Sequence, residues 1–158
     1  MSVYFYDSEQ FLPIDIDKAW NFFSSAKNLS IITPRELDFT ILTDLDNKEI
    51  YEGMHIDYTV KPLFGIKVRW KTKINKVEKP EMFSDMQLKG PYKTWEHTHT
   101  FFKKDNGVLM KDHVKYELPF GIIGRITNSL LVKKKIEDIF IYRRNVLKKI
   151  FGNGNNNN

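Results

Sequence analysis

The chain has 158 residues, 41% of them hydrophobic and 14% aromatic, which fits one domain with a core large enough to enclose a cavity. It contains no cysteine, so disulfides, thiolate metal sites and a cysteine nucleophile are excluded together. The formal charge of +5 and pI near 9.2 come from lysines spread along the sequence, and alternation such as GIKVRWKTKINKV is the wet face of a half-buried strand rather than a nucleic-acid motif.

The sequence opens MSVYFYDSEQFLPIDID, with no basic start followed by a long apolar run, and no later segment approaches ~18 consecutive apolar residues. A cytoplasmic protein is expected. Val3 to Leu12, rich in Tyr and Phe, reads as a strand ended by Pro13. A helix follows, because Asp15 or Asp17 can cap it and DKAWNFFSS places Trp20 and Phe23 on one core-facing side. Asn28 to Ile32 offers a second short helical turn that Thr33-Pro34 stops.

The pattern then changes to extended segments: Leu37 to Thr43, Met54 to Pro62, Lys67 to Glu78, Phe83 to Lys89, Lys93 to Lys103 and Val108 to Leu118. Turn signals separate them, the strongest being Asp105-Asn106-Gly107, and such short connections favour an antiparallel meander. From Ile122 to Phe151 there is no proline, and Ile136, Phe140, Leu147 and Ile150 repeat with helical spacing. Arg143 falls on the same stripe. A helix of that length covers ~40 Å, enough to lie across a curved sheet that must bury one face. Residues 152–158 are glycine and asparagine only and are expected to be a disordered tail.

Four blocks, LPIDIDKAWNFFSS with NLSIITP, then FSDMQLKGPYKTWEHTHTF, then DHVKYELPFG, then IFIYRRNVLKKIFG, resemble the START-related SRPBCC superfamily over nearly the whole chain. Within it the sequence looks like a bacterial ligand-binding subgroup akin to polyketide cyclases and dehydratases. The resemblance implies an α+β helix-grip fold over residues 1–151, in which a curved antiparallel sheet of about seven strands wraps around a long C-terminal helix, with two short helices after the first strand. It also implies a hydrophobic or amphipathic ligand between sheet and helix, and leaves the activity open.

Strand parity selects the residues that would face such a ligand. Trp95, His97, His99 and Phe101 share one side of their strand, and Met110, Asp112, Val114 and Tyr116 share one side of the next. By the same rule Tyr58 points inward with Ile56 and Val60, and Trp70 with Val68 and Ile74. The Phe83 strand is ambiguous: composition favours Met86 and Leu88 as the inner set, whereas the resemblance favours Phe83, Asp85 and Gln87. The expected ligand wall is therefore Tyr58, Trp70, Asp85, Gln87, Trp95, His97, His99, Asp112 and Tyr116, with Phe140 and Arg143 from the helix.

His97 and His99 carry three readings: polar groups satisfied by Asp85 or Asp112, recognition of a ligand, or a general base oriented by one of those carboxylates. No residue is assigned as catalytic outright. His-x-His can chelate a metal, but nothing further in the sequence supports that, and neither metal nor cofactor is expected. Arg143 requires an acidic partner, an acidic ligand group, or solvent at the cavity mouth. Pro-Phe-Gly-Ile-Ile-Gly at the start of the last helix is either a lip over the cavity or a packed helix start.

The leading expectation is binding, transport or sequestration of a lipid, polyketide or isoprenoid. The alternatives are a cyclase, dehydratase or hydrolase using a His-Asp pair, and a lipid carrier in transient contact with anionic membrane, to which each well-placed Lys or Arg adds ~1 kcal/mol.

Overall fold

The computed structural model describes residues 2–45 and 48–152. Seven strands run β1 Val3–Leu12, β2 Thr40–Ile41, β3 His55–Val60, β4 Val68–Glu78, β5 Met82–Lys89, β6 Thr94–Lys104 and β7 Gly107–Glu117. They form one antiparallel sheet in the order β1-β7-β6-β5-β4-β3-β2. The first strand thus closes onto the last, and the meander between them supplies the other neighbours. Gly107 opens β7 at the expected hairpin, where a Cβ would collide with the Leu12 carbonyl oxygen of β1.

Pro13 ends β1, and the Asp15 carboxylate accepts the Lys18 amide at 2.8 Å to cap α1, Ile16–Phe23. Trp20 from this helix is fully buried and meets Phe83 and Phe101 edge-on, with ring centroids 5.7 and 6.2 Å away. The second short helix, α2, spans Ala26–Leu29 rather than starting at Asn28. Side-chain chemistry explains the shift: the Asn28 amide donates to the Phe22 carbonyl at 2.9 Å, and the Thr33 hydroxyl donates to the Leu29 carbonyl at 2.6 Å, closing the segment ahead of Pro34.

The strand expected over Leu37 to Thr43 contracts to two residues. Arg35–Leu37 forms a 3₁₀ turn, and Asp38 takes a left-handed conformation (φ 47°) in which its carboxylate meets Lys61 and Lys67 at 3.1 and 2.9 Å. Leu37 is thereby turned inward, while its carbonyl accepts the Lys61 amide at 2.7 Å just beyond β3.

The last helix also departs from a single continuous span. Phe120 and Gly121 both have positive φ (71° and 51°), and they lead into α3, Gly121–Thr127. A π-helical stretch over Asn128–Val132 separates it from α4, Lys133–Phe151. The wider π turn shifts the helical phase, so Val132 and Ile136 are buried while Phe120, Ile122 and Leu130 remain exposed. At 19 residues α4 covers ~28 Å. Its buried face is Ile136, Phe140, Arg143 and Leu147 as the spacing predicts, but Ile150 is 44% exposed. Phe151 turns inward in its place, edge-on to Phe22 at 5.1 Å.

The sheet grips α4 unevenly. Under α1 the space is filled by Leu12, Trp20, Phe83, Phe101, Met110 and Leu147. Toward β3 and β4 the aromatic wall and α4 stand apart, and that gap is the cavity. No helix among the described residues is long and apolar enough to cross a membrane. The glycine-asparagine tail beyond Gly152 lies outside the described residues.

Candidate functional site

The site is assembled by register. His99 on β6 lies directly opposite Asp112 on β7 and opposite Phe83 on β5, and His97 lies opposite Asp85 on β5. Because side chains alternate, all of these project to the gripped face. The ambiguity over β5 is thereby resolved in favour of Phe83 and Asp85, with Leu88 exposed on the opposite side.

Asp112 is buried, and its Oδ1 stands 2.8 Å from His97 Nε2 and 2.9 Å from His99 Nδ1. The first contact is a hydrogen bond; the second lies off the line a hydrogen bond requires. The two imidazoles are tilted against each other at 3.9 Å, Phe83 stacks on His99 at 4.3 Å, and Phe140 meets His97 edge-on. These contacts fix both rings.

Electrostatics follow from this burial. Loss of solvent, then the neighbouring His99, push the His97 imidazole down to about 3, so it is neutral over the physiological range. Burial alone would raise the Asp112 carboxyl, but the hydrogen bond from His97 and the close approach of the His99 ring outweigh it and hold the group ionised, well below the usual range. Asp85 lacks such support. Desolvation lifts it to about 6 against the opposing pull of His99 and Arg143. Among the described residues it has no hydrogen bond and no ion pair within 4 Å.

Arg143 enters from α4. Its guanidinium lies 4.9 Å from the Phe140 ring centroid, and its Nε has no hydrogen-bond partner among the described residues. Among the described residues Trp70 Nε1 is likewise buried without a partner, and Thr72 Oγ1 has none in hydrogen-bond geometry, although the Tyr58 hydroxyl is its neighbour. All three belong to residues that line one cavity of about 190 Å³. Buried polar atoms are normally satisfied, so three unmatched groups around one void mark it as a place for polar atoms that are not part of the chain.

The wall of that cavity contains Tyr58, Trp70, Asp85, Trp95, His97 and His99 from the sheet, with Phe140 and Arg143 from α4. Three expected wall residues lie elsewhere. Gln87 donates to the Tyr92 carbonyl at 2.8 Å and accepts the Tyr92 amide at 3.3 Å, so it clamps the β5–β6 connection. Asp112 sits behind the histidines, and Tyr116 packs beneath the wall against Tyr4, Tyr92 and Trp95. Conversely Thr72 and Tyr92 line the cavity without having been anticipated. Thr72 shares the parity of Trp70 and Ile74, which was signal enough; Tyr92 sits in a turn, where alternation carries no information.

This arrangement can hold a compact molecule with an apolar or aromatic body and at least one hydrogen-bond acceptor. The volume corresponds to on the order of ten waters. The comparisons with known proteins agree at the level of fold. No family model matches the sequence, and no curated protein does. Solved structures do. Protein CV1439 from Chromobacterium violaceum is 8% identical, with 95% of this chain and 98% of that chain covered at a TM-score of 0.71. A norcoclaurine synthase point mutant from Thalictrum flavum, in complex with a transition-state analogue, is 14% identical, with 94% and 96% covered at 0.65. The di-domain ARO/CYC StfQ from the steffimycin biosynthetic pathway is 10% identical, with 96% of this chain and 53% of that chain covered at 0.65. These likenesses show the helix-grip fold, a curved antiparallel sheet around a long C-terminal helix.

Proposed function

We propose that the protein binds an amphipathic small molecule of the lipid, polyketide or isoprenoid kind in the cytoplasm. Its body packs among Tyr58, Trp70, Trp95 and Phe140, and an acceptor group such as a carboxylate, carbonyl or phenolate meets Trp70 Nε1, Thr72 and Arg143. The observation that carries this reading is the set of buried donors without partners around one aromatic-walled cavity. Binding, carriage or sequestration needs nothing beyond these contacts.

Native mass spectrometry of the full chain purified from its own host tests the reading, followed by extraction of any adduct. A bound organic molecule with an acidic or carbonyl group, displaced on unfolding, is the expected result. A protein free of adduct whose tryptophan fluorescence also ignores a panel of aromatic and aliphatic acids would remove the proposal.

A second reading has its own support in the buried His97–Asp112 hydrogen bond, which orients an imidazole on the cavity wall opposite Asp85. In that reading the chain is a cyclase, dehydratase or hydrolase, with His97 or His99 as base and Asp85 or Asp112 as orienter. Conversion of the extracted compound on incubation with fresh protein distinguishes it from plain binding. The exposed Phe64, Ile66, Phe120 and Ile122 favour, as a third reading, transient contact with anionic membrane, which absence of vesicle binding at low salt would remove.

A further inference from the structure

We propose that Asp85, His97 and His99 bind a divalent transition-metal ion on the cavity wall, with Asp112 as the positioning residue behind both imidazoles. Each of the three residues offers one donor atom, and these atoms lie within 4.8 Å of one another, so a side-chain movement of under about 1 Å brings them to the ~3.3–4.2 Å separations of donors ~2.1 Å from one ion. The cluster is not a loose group of surface acids, because both histidines are buried and their rings are fixed by Phe83, Phe140 and each other.

Proton placement supports the same geometry. Asp112 Oδ1 pairs with His97 Nε2 at 2.8 Å, and with the hydrogen on that nitrogen Nδ1 of His97 keeps its lone pair for an ion. A ligating histidine whose other N–H is held by a carboxylate is the usual outer-shell arrangement of protein metal sites, and it raises the basicity of the ligating nitrogen. The third donor, Asp85, has no hydrogen bond or ion pair of its own among the described residues.

Charge balance also permits the ion. Two carboxylates, Asp85 and Asp112, stand against the single guanidinium of Arg143. Two nitrogens and one oxygen select a transition ion over Mg²⁺ or Ca²⁺. Such a set leaves a coordination position free, and on this wall that position opens to the cavity, where an acceptor atom of the ligand or a water completes the shell. The inference goes beyond ligand binding as such, and it does not depend on which organic molecule is held.

The test uses the full chain, treated with chelator and then titrated calorimetrically with Zn²⁺ and with Co²⁺ at neutral pH. One ion per chain is expected, and the Co²⁺ form should show the visible bands of a four- or five-coordinate nitrogen-oxygen site. Asp85→Asn and His97→Gln should each weaken Zn²⁺ binding at least ten-fold, and Asp112→Asn about 10- to 100-fold. A His55→Ala/His113→Ala double variant removes the other two histidines and should leave binding unchanged. Absence of stoichiometric binding by the wild-type chain overturns the proposal. So does binding that survives Asp85→Asn but is lost in the double variant. Should a cavity variant not fold, the Co²⁺ spectrum of the wild-type chain decides alone, with octahedral or absent bands counting against. Fluorescence titration of the metal-free protein with organic acids reports on the ligand proposal separately.

Discussion

Asp112 Oδ1 accepts a hydrogen bond from His97 Nε2 at 2.8 Å in a place that solvent barely reaches, whereas Asp7 Oδ1 meets His113 Nδ1 at 2.6 Å on the open surface. The second contact is shorter and worth less. Exposed pairs are screened and contribute ~0–1 kcal/mol, whereas removing one member of a buried polar pair strands its partner. Asp112→Ala is therefore expected to lower unfolding free energy by about 3–5 kcal/mol and Asp7→Ala by under about 1 kcal/mol. Urea denaturation of the two variants makes the comparison. Equal losses would show that the His97–Asp112–His99 cluster is not the buried unit described above.

The opposed shifts of His97 and Asp85 give a pH signature. His97 titrates at about 3 in the folded chain against 6.5 ordinarily, so below pH 6.5 the unfolded chain takes up a proton the folded chain refuses, and stability falls with pH. Asp85 titrates at about 6 against 3.8 ordinarily, so between those values the folded chain holds the extra proton, and stability rises as pH falls. Over that window the two contributions nearly cancel. Asp85→Asn removes one of them. Relative to wild type, the variant should lose stability on going from pH 6 to pH 4, by at most ~1.4 kcal/mol per unit. Other carboxylates drop out of the difference. Parallel stability profiles for the two proteins would contradict the assignment of Asp85 as a buried, unsupported carboxyl.

Arg143 separates stability from binding. Burial disfavours its charge, Asp112 and Asp85 only partly offset that, and its Nε has no partner among the described residues. Replacing a desolvated charge by an apolar side chain of similar length is often neutral or stabilising. Arg143→Met is expected to leave stability unchanged or raise it by about 1 kcal/mol, while weakening binding of an acidic ligand at least ten-fold. Thermal melts alongside fluorescence titration check both halves. A loss of several kcal/mol would mean that Arg143 serves the fold rather than a ligand.

Parity carried most of what was legible in advance. Alternation alone places Trp70, Trp95, His97, His99 and Asp112 on the gripped face, because a strand buried on one side has only one register that works. It does not say which inward residue touches the void and which lies behind another, so Asp112 and Tyr116 were expected on the wall although His97, Trp95 and Tyr92 stand in front of them. Helical spacing found Arg143 on the inner stripe of α4. It missed the π turn, since Asn128–Val132 contains no proline or glycine and the phase shift comes from tertiary fit against the sheet. Asp85 was undecided because two faces of a short strand differed by one apolar residue, and that choice rested on neighbours outside the strand.

Gln87 governs the cavity from outside it. Its amide makes both hydrogen bonds to the Tyr92 backbone, and Gly90 stands so close to its side chain that a Cβ there would collide with it. Tyr92 in turn packs on Trp70 and Trp95 with centroids 5.4 and 4.7 Å away, so the position of a cavity-lining ring depends on a clamp one turn removed. Two net hydrogen bonds of this kind contribute ~1–3 kcal/mol, most of it local to the turn. Gln87→Ala should therefore speed amide exchange at residues 91–94 by about ten-fold or more while leaving β7 protected. Tryptophan emission should shift to the red as Trp95 gains water. Gln87→Glu keeps an acceptor for the Tyr92 amide and loses the donor to its carbonyl, so an intermediate effect is expected. Exchange rates in Gln87→Ala that match wild type over residues 91–94 would show that aromatic packing alone holds the turn.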